Sequence, residues 1–287
     1  MSCKSSDLSI ASYYPQNRDL VLSPRQCTGT GGVIPCRLHT FFCADAASAD
    51  ATGITIISLG GFAVELDVLI AYLFRWIHFF AGIAWIGLLY YFNFVQTEYF
   101  KEADPAAKAS AISKLVPRAL GWFRYGALFT FLSGLALAGF LGAATNFYIS
   151  IGMLLGTLMF LNVWLIIWPN QKTVIPSNEQ VLAGGDPIPE AAAALGKAGL
   201  ASRTNTLFSL PMLFFMGASA HLGGYGRVPL SAEGGVSTAA MALCVIIILA
   251  LQANAIKGKM GPMASVVGVI HLGLALTVAL LLIIQYL

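Results

Sequence analysis

The feature that most constrains the fold is a series of six hydrophobic segments, each about twenty residues long or longer. They cover residues 68–94, 120–143, 147–168, 204–222, 237–255 and 262–286. A helix of about 20 apolar residues crosses roughly 30 Å of hydrocarbon, whereas the strands of a membrane barrel alternate between apolar and polar residues. The continuous apolarity therefore predicts an all-α, polytopic integral membrane helix bundle with about six transmembrane helices.

The overall composition agrees with this class. Hydrophobic residues make up 57% of the chain and charged residues 10%, whereas an ordinary soluble domain is about 25% charged. The net charge of +3 is small, and the basic stripes with interleaved aromatic residues that follow nucleic-acid phosphates are absent from the sequence. We therefore expect the lipid bilayer, and not a nucleic acid, to be the main partner.

Basic residues are distributed unevenly among the loops. By the positive-inside rule, loops rich in Lys and Arg face the cytoplasm. The loops after the first, third and fifth segments carry almost all of them, and the opposite loops carry only Arg227. Those basic residues are Lys101, Lys108, Lys114, Arg118, Lys172, Lys197, Arg203, Lys257 and Lys259. We expect both termini to face outside and the long loop 169–203 to be cytoplasmic, with a short surface helix at 190–200.

Residues 1–60 differ from the remainder of the chain. They lack the periodicity of a helix or strand and the apolar core of a signal peptide. This segment is predicted to be a disordered tail, or to precede a true start near residue 60, while residues 61–287 form the membrane domain. Cys3, Cys27, Cys36 and Cys43 fit no zinc or haem-attachment spacing, so no covalent haem c is expected.

Three of the four histidines lie inside apolar segments, and ionisable side chains in a membrane are candidates for function. His78 lies roughly 14 Å below the predicted outer boundary, with Arg75 one turn above it. This pair suits a haem b whose iron is bound by His78 and whose propionate pairs with Arg75. The alternative is a structural histidine bonded to a neighbouring hydroxyl or carbonyl, with Arg75 reaching the lipid phosphates.

A second axial ligand has two candidates. His271 lies roughly 18 Å and His221 roughly 9 Å from the predicted outer face, so each is at a depth comparable with that of His78. The sequence does not choose between them. A metal site that uses all three histidines is a weaker interpretation, and we assign no role to His39 in the tail.

Polar side chains also gather at the predicted inner face. Interfacial anchoring and loop capping account for them, and a binding site for an anionic or quinone-like ligand is the alternative. The residues are Arg124, Asn162, Trp164, Arg203 and Asn205. The six segments contain no Asp or Glu, which argues against a cation- or proton-coupled pump.

Several of these residues occur in stretches that resemble a known family. The chain from about residue 66 to 287 is similar to the N-terminal membrane domain of bacterial membrane-bound urate oxidase, also called urate hydroxylase. The stretches that carry the resemblance are 75–78, 82–96, 162–164, 168–172, 203–206 and 211–216.

The resemblance implies an oxidoreductase of purine catabolism in the bacterial inner membrane. In that family an outward-facing cytochrome c domain usually follows the membrane domain, and electrons from urate pass to the respiratory chain. This chain has no CxxCH motif, so we expect a separate cytochrome c or a quinone to accept the electrons. The alternatives are a non-catalytic haem-binding subunit or anchor and, more weakly, a purine or organic-anion transporter.

Overall fold

The structure is a computed structural model that describes residues 56–59 and 62–287. Most of the predicted disordered tail 1–60, with His39 and its four cysteines, lies outside these residues, but residues 56–59 of it form a strand. The described part begins with a small antiparallel hairpin of β1 (Ile56–Leu59) and β2 (Phe62–Glu65), in which Ile56 is opposite Glu65. Everything after it is helical or loop, so the predicted all-α membrane bundle is confirmed apart from this hairpin.

Nine α-helices follow among the described residues. Their bounds are α1 Leu66–Tyr90, α2 Thr97–Glu102, α3 Pro105–Lys114, α4 Val116–Leu141, α5 Phe147–Leu161, α6 Trp168–Leu182, α7 Ala191–His221, α8 Thr238–Lys257 and α9 Val266–Tyr286.

Two long helices each contain a π-helical segment. The segment Tyr91–Gln96 joins α1 to α2, and Asn162–Ile167 joins α5 to α6, so the helix is unbroken in both places. π-helical turns are rare and occur frequently at functional sites, because they change the direction of the side chains that follow. Both segments coincide with stretches on which the family resemblance rests, which makes them the first places to look for a site.

The centre of the bundle is α7, which packs against α1, α5, α6, α8 and α9. Among the described residues, five helices are long and apolar enough by composition to cross a membrane, and α7 is not one of them. With 31 residues it is roughly 46 Å long, so it has the length to cross. Its composition is more polar because its inner half faces protein, where polar groups find partners, and not lipid.

The predicted cytoplasmic loop 169–203 is wrong in its extent. The third long helix continues to Leu182, and α7 begins at Ala191, so the loop is only residues 183–190. Pro169 directly follows the π-helical segment, inside a helix that continues through it. The polar helix is held by tertiary contacts: the Asn178 amide donates to the Ala109 carbonyl at 3.2 Å. Residues 190–200, predicted to be a separate surface helix, belong almost entirely to the first half of α7.

Helices α1 and α4 pack closely along their length, and a glycine permits this approach. A Cβ atom placed on Gly126 would lie 3.1 Å from the Trp85 nitrogen and 3.2 Å from the Ala81 oxygen. Both are backbone atoms, which cannot move without displacing the whole helix. Small residues at such crossings let membrane helices pack through their backbones.

We therefore expect Gly126→Leu to destabilise the bundle by about 2 kcal/mol, as overpacking of a core does. Gly139→Leu on the same helix is the matched control, because a Cβ there meets nothing within 4 Å. Thermal unfolding of the two variants in one detergent measures the difference. Equal melting temperatures would contradict the backbone contact.

Candidate functional site at the basic end of the bundle

The His78 ring lies against α4. Its Nδ1 is 2.9 Å from the Thr130 carbonyl oxygen and 3.2 Å from Ser133 Oγ. If Nδ1 carries the proton and donates to the carbonyl, Nε2 keeps a free lone pair. Metal-binding histidines are commonly oriented by such a bond to a carbonyl, and a structural histidine makes the same contact. The geometry at His78 is thus compatible with both interpretations given by the sequence.

The structure does not bring the other two predicted histidines to His78. His271 is exposed on α9, on the face opposite the buried Val269 and Gly273. His221 is exposed at the end of α7. Arg75 is also exposed, one turn before His78 on the same helix. Within the described residues, no three His, Cys, Asp or Glu side chains are grouped so that they would hold a metal. A haem b held by a facing pair of these histidines does not fit this arrangement.

The polar residues predicted at the inner face form three separate groups. The first is a buried amide network that joins three helices. Asn162 Nδ2 donates to Asn205 Oδ1 at 2.8 Å and to Gln252 Oε1 at 3.0 Å, and Gln252 Nε2 donates back to Asn162 Oδ1 at 2.7 Å. Asn205 Nδ2 also donates to the Met159 carbonyl at 3.0 Å. Because its members bond to one another, this network connects helices and leaves little capacity for a ligand.

The second group surrounds Arg124. Its guanidinium carbon lies 3.5 Å from the centre of the Trp168 ring, 5.4 Å from that of Tyr125 and 5.6 Å from that of Trp164. These distances are typical of cation–π contacts. The stacking does not provide hydrogen bonds for these side chains. Arg124 Nε and Trp164 Nε1 are both buried without a hydrogen-bond partner.

The third group lines a cavity of about 310 Å³. The cavity lies between the first π-helical segment, the first half of α4, the start of α6 and the first half of α7. Its wall combines aromatic rings with polar side chains. The residues used below are Phe92, Asn93, Gln96, Phe123, Gln171, Ser202 and Arg203. Arg124, Asn162, Trp164 and Asn205 do not line it, so the predicted cluster is divided between different places.

Arg203 is the residue in this cavity that most needs a partner. Only 5% of it is exposed, and its Nη1 has no hydrogen-bond partner. Glu98 interacts with it electrostatically, yet Glu98 is paired with Lys101 at 2.8 Å and forms no ion pair with Arg203 within 4 Å. The Gln96 side-chain oxygen, in the same wall, is also buried without a partner. Buried charges are normally paired, because leaving one unpaired costs several kcal/mol.

Of the residues that line the cavity, only Arg203 was among the site residues predicted from the sequence. Gln96 and Gln171 both lie within stretches that carry the family resemblance, 82–96 and 168–172. Because Gln96 lies just beyond the apolar segment 68–94, its place in such a stretch was the available signal for it. Gln252 of the amide network was also missed, although it is a polar residue inside the apolar segment 237–255.

A comparison with known protein families found a match to the second half of the chain. Residues 140–279 match the family described as urate oxidase N-terminal. The match covers 140 of the 287 residues, just under half of the chain, and over this range the chain is similar to that family. The family predicted from the sequence is therefore confirmed, and the matched range includes Arg203 and the whole amide network. No curated protein and no solved structure matches the chain.

The amide network gives a test of the domain's core. We expect Gln252→Leu to destabilise the protein by about 1–3 kcal/mol, because it leaves the buried side-chain oxygen of Asn162 without a partner. Adding Asn162→Leu removes the orphaned group, so the double variant should be less destabilised than the sum of the single variants. Thermal unfolding in detergent measures this coupling, and strict additivity would show that the side chains do not interact.

Proposed function

We propose that this chain is the membrane module of a urate-oxidising system in the bacterial inner membrane, and that it binds the anion of urate or a related purine in the Arg203 cavity. The family supports the link to urate, and the multi-pass helical bundle supports the membrane location. The main observation in support of this binding site is the buried guanidinium of Arg203, whose Nη1 has no acceptor within the protein.

The cavity has the chemistry that a purine anion needs. Urate is planar and carries one negative charge at neutral pH, with carbonyl oxygens that accept hydrogen bonds and N–H groups that donate them. Arg203 supplies the positive charge and planar donors, and the free oxygen of Gln96 supplies an acceptor. The volume of about 310 Å³ is at the lower end of the range for ligand pockets, which suits a small molecule.

Neighbouring residues hold the polar side of the cavity in place. Asn93 Nδ2 donates to the Leu89 carbonyl at 2.9 Å and to Ser202 Oγ at 2.8 Å, which ties the π-helical segment to α7 beside Arg203. On the apolar side, Phe92 packs edge-on against Phe123 with ring centres 5.6 Å apart. The cavity thus combines aromatic rings with fixed polar side chains, and aromatic rings favour contact with a planar heterocycle.

Oxidation of urate to a hydroxylated product removes two electrons and two protons, and water supplies the added oxygen. In this proposal the chain binds and orients the anion. The acceptor is either two molecules of a separate cytochrome c, which take one electron each, or one quinone, which takes both electrons and two protons. His78 would hold a haem b, which would supply one-electron transfer, whereas His271 and His221 are exposed elsewhere.

The binding proposal is tested on Arg203. We expect Arg203→Gln to weaken urate binding by roughly tenfold or more, because a charged donor to a buried anion is lost. Arg203→Lys should retain part of the affinity, since it keeps the charge and loses the planar fork. Titration calorimetry of the detergent-purified protein measures both, with Arg118→Gln as the control because Arg118 is exposed near the same end.

Unchanged urate affinity in Arg203→Gln, with normal affinity in the control, would contradict the site. Urate oxidation is then measured with added cytochrome c or a quinone analogue. A haem spectrum without turnover would favour the non-catalytic haem-binding subunit or anchor. Urate uptake into liposomes by a colourless protein would favour the transporter.

An optical spectrum tests the haem separately. We expect the reduced wild-type protein to show a Soret band that His78→Ala abolishes, because the axial nitrogen is removed. His271→Ala and His221→Ala are the controls and should keep the band, since both rings are exposed and away from the His78 contact with α4. Loss of the band in a control variant, or its persistence in His78→Ala, would remove His78 as the ligand.

A further inference from the structure

The group around Arg124 is a second place where buried donors lack partners. We call Arg124, Tyr125, Trp164 and Trp168 the Arg124 cage. None of its four residues lines the Arg203 cavity. Its function is therefore not explained by the binding of urate.

The two unpartnered groups of the cage can only donate. The guanidinium is stacked at 3.5 Å on the Trp168 ring, and a stacked guanidinium keeps its in-plane N–H groups available for an acceptor. Arg124 Nε and Trp164 Nε1 are both buried without a partner, and neither Arg nor Trp has a side-chain acceptor. The missing partner must therefore present at least two acceptor atoms that reach donors from two helices.

The charge around the cage specifies an anion. Residues 116–178, which include α4 and the α5–α6 helix as far as Asn178, contain no Asp or Glu. Lys172 follows Trp168 by four residues and therefore lies on the same face, one turn nearer the basic end. Arg118 is roughly 9 Å further toward that end along α4. Both Lys172 and Arg118 are exposed, so the positive potential is not neutralised by neighbouring side chains.

The surroundings of the cage indicate what kind of molecule carries the anionic group. Large apolar side chains beside the cage are exposed, among them Trp122 at 69%, Leu165 at 67% and Phe129 at 54%. In a membrane helix bundle such a surface contacts acyl chains. An amphipathic ligand with an anionic head and apolar tails meets both surfaces at once, whereas a free anion meets only the donors.

From these contacts we propose that the Arg124 cage binds the phosphate of an anionic phospholipid, such as phosphatidylglycerol, in the leaflet at the basic end of the bundle. Arg124 Nε and Trp164 Nε1 donate to phosphate oxygens, and Lys172 and Arg118 lie toward the headgroup. Because residues 116–178 supply no carboxylate for an ammonium group, the cage prefers phosphatidylglycerol to phosphatidylethanolamine. The lipid then connects α4 to the α5–α6 helix beside the second π-helical segment.

Native mass spectrometry of the full chain, titrated with phosphatidylglycerol, tests the proposal. Wild-type protein is expected to bind at least one phosphatidylglycerol in preference to phosphatidylcholine and phosphatidylethanolamine. Arg124→Gln should weaken that binding roughly tenfold, as expected for loss of a charged donor, and Arg124→Lys should weaken it less. Arg75→Gln, an exposed arginine on α1 away from the cage, is the control and should bind as the wild type does.

Equal phosphatidylglycerol binding by wild type and Arg124→Gln would overturn the proposal, as would equal binding of phosphatidylcholine by the wild type. Competition by glycerol phosphate at equal concentration would show that a free phosphate suffices, and displacement of the lipid by a ubiquinone analogue would identify a quinone site instead. If Arg124→Gln does not fold, Trp168→Leu removes the stacking surface while keeping the charge and should also weaken binding. Urate binding through Arg203 is measured separately, so failure of one site leaves the other interpretable.

Discussion

The bundle depends on the satisfaction of polar side chains on its central helix. Lipid offers no hydrogen bonds, so every polar group that α7 carries into the bundle needs a partner within the protein. Asn205 meets Asn162 of the α5–α6 helix, Ser209 meets the Tyr90 hydroxyl at 2.9 Å, and Ser202 meets Asn93. These contacts fix both long helices against α7. Arg203 lies among them with an unpaired Nη1, and this exception makes its cavity the candidate site.

The two π-helical segments supply the partners on the other side of these contacts. Asn93 and Gln96 belong to the first segment and Asn162 begins the second. A π-helical turn rotates the residues that follow it relative to an ordinary helix. This rotation allows an apolar, lipid-facing helix to direct amide side chains inward over a few residues. The same feature thus builds the amide network with Asn162 and one wall of the cavity with Gln96.

The sequence predicted the helices and the polar residues of the basic end, because apolar length and charge distribution are local properties. It did not predict which way a residue faces on a helix that is apolar all round, so His271 appeared able to meet His78 although it is exposed on the outer face of α9. Similarly, Arg124 and Arg203 appeared to be one cluster because they have similar depths. Their separation results from packing between helices, which no single helix encodes.

The Arg203 cavity, where we propose that the substrate binds, lies far from any redox group that His78 would hold. Gln96 follows His78 by 18 residues on one unbroken helix, so their backbones are roughly 27 Å apart along its axis. A ligand bound by Gln96 and Arg203 therefore does not contact a group held by His78. In the function proposed above, electrons from that ligand would either cross the bundle or leave at its basic end. Loss of urate binding and loss of a haem spectrum are accordingly expected to be independent effects.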